Sequence, residues 1–158
     1  MTKAFRVLAF LVAGLVVVQA ALMVWAIAGM GIWISEDGGE LTDQVFEDAF
    51  EGGDAPFPEF AGLMFHGMNG TMVIPIVALI LLIVGLIAKF PGAKKYGAAV
   101  FLLVVLQVFL GIFGHTVAIS GALHGINALL LFGVAIMAGM RAKDVPVVSD
   151  DGRPLVNA

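Results

Sequence analysis

Apolar positions fall in four long blocks, Val7 to Ile34, Phe60 to Ala88, Tyr96 to Val117 and Ile119 to Met140, and none contains Asp, Glu, Lys or Arg. A helix needs roughly 20 residues to cross the hydrocarbon core of a bilayer. The blocks therefore predict four spanning helices, over about 7–34, 60–88, 96–117 and 119–140, and an all-α integral membrane four-helix bundle. The segment from 1 to 141 is the transmembrane domain, residues 35–59 form a loop, and the polar tail, 142–158, is expected to be flexible.

The loop has a pattern of its own. Thr42 is placed to cap a short helix, Leu41 and Phe46 are spaced as a hydrophobic staple, and Val45, Phe46, Ala49 and Phe50 share one helical face before Gly52 and Gly53 stop it. A short amphipathic helix lidding the bundle is expected here. Pro56 and Pro58 end the loop and allow the second span to start. Within that span, Pro75 removes a backbone donor and predicts a kink.

Polar residues inside the spans are few: Gln19, His66, Asn69, Thr71, Gln107, His115, His124 and Asn127 stand out. A histidine in a span is costly and is by default a functional-site hypothesis. Here the motif occurs twice, as His66-Gly67-Met68-Asn69 and His124-Gly125-Ile126-Asn127. The helix before each motif carries a matching segment, Leu15-Val16-Val17-Val18-Gln19 and Leu103-Val104-Val105-Leu106-Gln107. A helical hairpin with glutamine on its first helix and His-Gly-x-Asn on its second is thus repeated.

Both hairpins run the same way through the membrane, so a pseudo-two-fold axis along the normal would relate them. It would bring His66 and His124 to opposite faces of one planar ligand. Gly67 and Gly125 clear space for a porphyrin edge, and Asn69 and Asn127 are placed to hydrogen-bond across helices, Gln19 and Gln107 being candidate partners. Bis-histidine ligation of one haem b per chain by His66 and His124 is the favoured reading; helix-packing polar contacts are the alternative. His115 is a candidate partner for the ligand's polar edge or a substitute axial ligand. One asymmetry stands out: about 23 residues, roughly 34 Å of helix, separate His66 from Lys89, against about 17, roughly 25 Å, between His124 and Arg141.

Charge sets the orientation. All 8 basic residues precede the first span, join the second to the third, or follow the fourth, which predicts that both termini are cytoplasmic. Nine of the 12 acidic residues lie between Glu36 and Glu59, a solvated outer face or a docking patch for a basic redox partner. Trp25 and Trp33 are expected to anchor at the interface or to stack on a bound ring. The absence of cysteine excludes disulfides, thiolate sites and iron–sulfur clusters. Composition, 61% hydrophobic with 13% charged residues, implies a lipid bilayer and no nucleic acid as partner. The stretch after Lys3 and Arg6 is too long for a signal-peptide core of about 7–15 residues and is expected to be a retained helix in a bacterial plasma membrane.

The segments Phe65-His66-Gly67, Leu106-Gln107-Val108-Phe109-Leu110-Gly111 and Ala122-Leu123-His124-Gly125-Ile126-Asn127-Ala128 resemble one four-helix half of the haem A synthase family and small four-helix proteins similar to it. The resemblance implies that His66 and His124 ligate a haem near the outer face. It departs from the family's catalytic half at Leu63, where a glutamate would stand one turn before the histidine, and the outer-loop cysteine pair is missing. These departures resemble the half that holds haem b without transforming it. Three functions are thereby framed: a bis-histidine haem protein for electron transfer or haem handling, as a subunit of a respiratory assembly; a half-size haem A synthase-like enzyme acting as a homodimer; and a cofactor-free structural subunit.

Overall fold

The computed structural model of the chain describes residues 1–114, 116–142, 147–148 and 154–155. Its helices are α1 (Thr2–Glu36), α2 (Asp43–Phe50), α3 (Phe60–Ile87), α4 (Ala93–Gly114) and α5 (Ala118–Arg141). All but α2 are long and apolar enough to cross a membrane. Only 17% to 28% of the residues in their most apolar windows are buried, so side chains such as Val7, Val24, Leu102 and Leu129 face outward, as they must where lipid replaces water. The tail lies largely outside the described residues. Its described part includes a short antiparallel pairing of Val147–Val148 with Pro154–Leu155.

The chain divides into two compact units, 14–75 and 1–13 with 76–158. In the first, α2 begins where expected: Thr42 Oγ1 accepts a hydrogen bond from the Val45 N–H (3.3 Å), satisfying one of the donors that a helix start leaves over. Gly52 follows with φ +100°, a conformation that glycine adopts without strain. The apolar face of α2 packs into an aromatic cluster. Ala49, Phe57 and Phe60 are buried, with Met30, Trp33, Phe46 and Leu63 against them. The Trp33 and Phe57 rings lie 5.5 Å apart, and Phe60 meets Phe50 at 5.2 Å and Phe57 at 5.9 Å. Trp33 is therefore a packing residue rather than a lone interface anchor. Trp25 is 47% exposed, as an anchor requires. Leu41 is exposed too, and Phe46 packs on Phe60 instead (6.0 Å).

Glycine lets α3 approach α1 closely. A Cβ on Gly62 would lie 2.6 Å from the Leu22 carbonyl oxygen, so this contact needs a residue with no side chain. Ahead of Pro75 the helix widens into a π-turn, Asn69–Val73, in which the Ile74 N–H bonds to the Asn69 carbonyl five residues back. Proline cannot donate to the carbonyl of residue 71 and its ring crowds that group; the wider turn is a recognised answer to such a fault. Thr71 Oγ1 donates to the Gly67 carbonyl (2.7 Å), tying the same stretch.

In the other unit, Phe5, Leu81, Val100, Val104 and Leu131 are almost completely buried. The Phe5 and Phe90 rings meet edge-on at 5.0 Å. Gly85 and Gly97 bring α3 and α4 into backbone contact: a Cβ on Gly85 would lie 2.9 Å from the Ala93 carbonyl oxygen. Helices α4 and α5 form a hairpin whose tips approach at Gly114 and Gly121, 3.5 Å from an added Cβ to the facing Cα.

Candidate functional site

Each unit contains one glutamine, one histidine and one asparagine from the repeated motif, joined in the same way. On α1 and α3, Gln19 Nε2 donates to the His66 carbonyl (2.9 Å), His66 Nδ1 lies 3.0 Å from the Gln19 carbonyl, and Asn69 Nδ2 donates to Gln19 Oε1 (3.2 Å). On α4 and α5, Gln107 Nε2 donates to the His124 carbonyl (3.0 Å), His124 Nδ1 lies 3.0 Å from the Gln107 carbonyl, and Asn127 Nδ2 donates to Gln107 Oε1 (2.6 Å). The expected bonds between asparagine and glutamine are thus present in both hairpins.

The two Nδ1 contacts decide the tautomer. A backbone carbonyl only accepts, so in each hydrogen bond Nδ1 carries the proton and donates it. In the neutral imidazole the lone pair then belongs to Nε2, the atom that would bind a metal. This bond also fixes the ring's orientation, as outer-shell partners of metal-binding histidines do. Glutamine works twice, holding the imidazole with its main chain and the histidine's own carbonyl with its side chain. Asparagine in turn fixes the orientation of the glutamine amide.

The local surroundings differ. Asn127 is 4% exposed and makes a second bond, to the Leu103 carbonyl (2.9 Å); its buried Oδ1 accepts nothing among the described residues. Asn69 is half-buried and opens the π-turn. The His124 ring also sits close enough to α4 that a Cβ on Gly111 would come within 3.1 Å of Cε1 and 3.2 Å of Nδ1. Gly67 and Gly125 have open space where a Cβ would stand, so packing within the protein requires glycine at neither position. His115 lies outside the described residues.

Three features of the site were not anticipated from sequence: the glutamine carbonyls as imidazole acceptors, the Leu103 carbonyl behind Asn127, and Gly111 beneath His124. Gly111 had a signal, since it follows Gln107 by one helical turn and so shares its face. Among the described residues, no group of three or more His, Cys, Asp or Glu side chains could hold a bare metal ion. A haem makes a smaller demand, because the porphyrin supplies four donors and the protein one or two. Comparisons of the chain with protein-family models, characterised proteins and solved structures found no match.

Proposed function

We propose that this protein is a membrane cytochrome of the b type, holding one haem b per chain with His66 and His124 as axial ligands. The observation that carries the reading is the twice-built histidine anchor, in which a main-chain carbonyl takes the Nδ1 proton and leaves Nε2 as the donor atom. The open space beside Gly67 and Gly125 suits a macrocycle that must approach the backbone.

The haem would supply a one-electron iron couple. The chain's own residues orient both imidazoles through Nδ1, and such outer-shell hydrogen bonding is one of the means by which a protein sets a haem potential. The two hairpins are read as parallel repeats about an axis along the membrane normal, with both termini cytoplasmic by the charge rule. Electron transfer fits better than oxidation of a substrate haem. One turn before His66 stands Leu63, an apolar residue packed against the aromatic cluster, which can neither take nor give a proton.

The test is a reduced-minus-oxidised absorption spectrum of the purified protein after haem supplementation. A low-spin, six-coordinate b spectrum is expected, with six-coordination lost in both His66→Ala and His124→Ala. Absence of a Soret band from the wild-type protein would overturn the reading, and conversion of added haem O to haem A would replace it with an enzymatic one.

A further inference from the structure

The turn that joins α3 to α4 forms a recess of about 270 Å³. Its floor is apolar and held from behind: Ala88, Phe90 and Ala93 are buried, the Phe90 ring meets Phe5 edge-on at 5.0 Å, and the Ala93 carbonyl oxygen faces Gly85. Around that floor stand Lys89, Lys94 and Lys95, all exposed. Three like charges in one short turn repel one another, and no described carboxylate of their unit offsets them. Among its described residues the unit of 1–13 with 76–158 carries Lys3, Arg6, Lys89, Lys94, Lys95 and Arg141 and neither Asp nor Glu; Asp144, Asp150 and Asp151 lie outside the described residues. Gly92, at φ +87°, precedes α4 and has no side chain to cap the first amides of that helix, whose partial positive charge adds to that of the lysines.

We infer that this recess binds an anionic phospholipid, with Lys89, Lys94 and Lys95 on its phosphate headgroup and its glycerol and upper acyl carbons against Ala88, Phe90 and Ala93. Two apolar helices of spanning length meet here, α3 ending at Ile87 and α4 beginning at Ala93, so the recess lies at headgroup level whichever way the chain is inserted. Basic pockets between spanning helices recognise anionic headgroups in this way. The apolar floor argues for a lipid over a free anion, because inorganic phosphate would use the lysines alone. A zwitterionic lipid offers the same phosphate but adds a cation that the lysines repel. Lysines that only set the direction of insertion act through charge and need no recess. The inference does not depend on the haem.

Native mass spectrometry of the delipidated full chain in mild detergent, titrated with phosphatidylglycerol or phosphatidylcholine, tests the inference. One phosphatidylglycerol per chain should bind in preference to phosphatidylcholine. Lys89→Gln, Lys94→Gln and Lys95→Gln should each weaken it about fivefold, the effect of one basic residue at an anionic surface, and the three together about a hundredfold. Replacing Lys3, Arg6 and Arg141 by glutamine removes as many charges from the same unit but outside the recess, and should leave the first phosphatidylglycerol in place. Arginine at all three lysine positions should keep it too, since guanidinium also binds phosphate. Because losing three charges could disturb insertion, the single variants are the deciding arm, with helix content checked by circular dichroism. Single variants that bind like wild type, equal losses in the two triple glutamine variants, or equal binding of phosphatidylcholine would each overturn the inference. Displacement of the lipid by inorganic phosphate at equal concentration would overturn it too, by making the site one for the free anion.

Discussion

Replacing Gln107 by leucine tests the anchor without reference to any ligand. The substitution deletes the 3.0 Å bond to the His124 carbonyl and the 2.6 Å bond from Asn127. The Gln107 main-chain carbonyl remains to accept from His124 Nδ1. Neither deleted bond strands a backbone group, since the His124 carbonyl lies within α5 and Asn127 still reaches the Leu103 carbonyl. The cost is therefore that of the bonds themselves, about 0.5–1.5 kcal/mol each in water and about 0.6 on average between membrane helices. A loss of about 1–3 kcal/mol follows. Gln19→Leu removes bonds of 2.9 and 3.2 Å around a partly buried asparagine and should cost less, about 1 kcal/mol. The measurement is unfolding of the haem-free protein in detergent micelles by dodecyl sulfate, followed by circular dichroism. The reasoning fails if Gln107→Leu stays within about 0.5 kcal/mol of wild type, the range of an indifferent surface change, or if Gln19→Leu proves the more damaging.

Two further outcomes follow from local geometry. Gly111→Ala should push the His124 imidazole aside and destabilise the haem-free protein by about 1 kcal/mol even after its gain in helix propensity; Gly125→Ala, which meets open space, should be neutral or stabilising by up to about 1 kcal/mol yet lower haem occupancy, a split that parallel unfolding and haem-content measurements would reveal. Thr42→Ala should cost about 1 kcal/mol locally, seen as faster amide hydrogen exchange from Val45 to Phe50 with little change in global unfolding.

The spans were legible because hydropathy over a bilayer's thickness leaves few choices, although α1 runs past its apolar block at both ends, to Thr2 and Glu36. Its terminal polar residues need no lipid and tolerate helix as well as coil. The short helix from Asp43 could be read from one capping residue and one apolar face. The pairing of Gln19 with Asn69, and of Gln107 with Asn127, was legible because the same two residue types recur at matching positions. What takes the imidazole proton was not. Every residue has a main-chain carbonyl, so no letter in the sequence marks Gln19 or Gln107 as the acceptor. Likewise Pro75 announces a fault in the helix but not its form, since a bend and a widened turn both relieve the same clash. Trp33 could not be separated from Trp25 because burial beneath α2 depends on how Phe57 and Phe60 fold back.

That last distinction gives the protein two optical reporters of different kinds. Trp33 is sandwiched into the cluster beneath α2, and a Cβ on Gly39 would fall on its ring, whereas Trp25 faces outward. With Trp25 replaced by phenylalanine, the remaining indole emission comes from under the acidic segment alone. Its wavelength and its quenching by aqueous iodide then become a gauge, readable in real time, of whether α2 is seated or lifted.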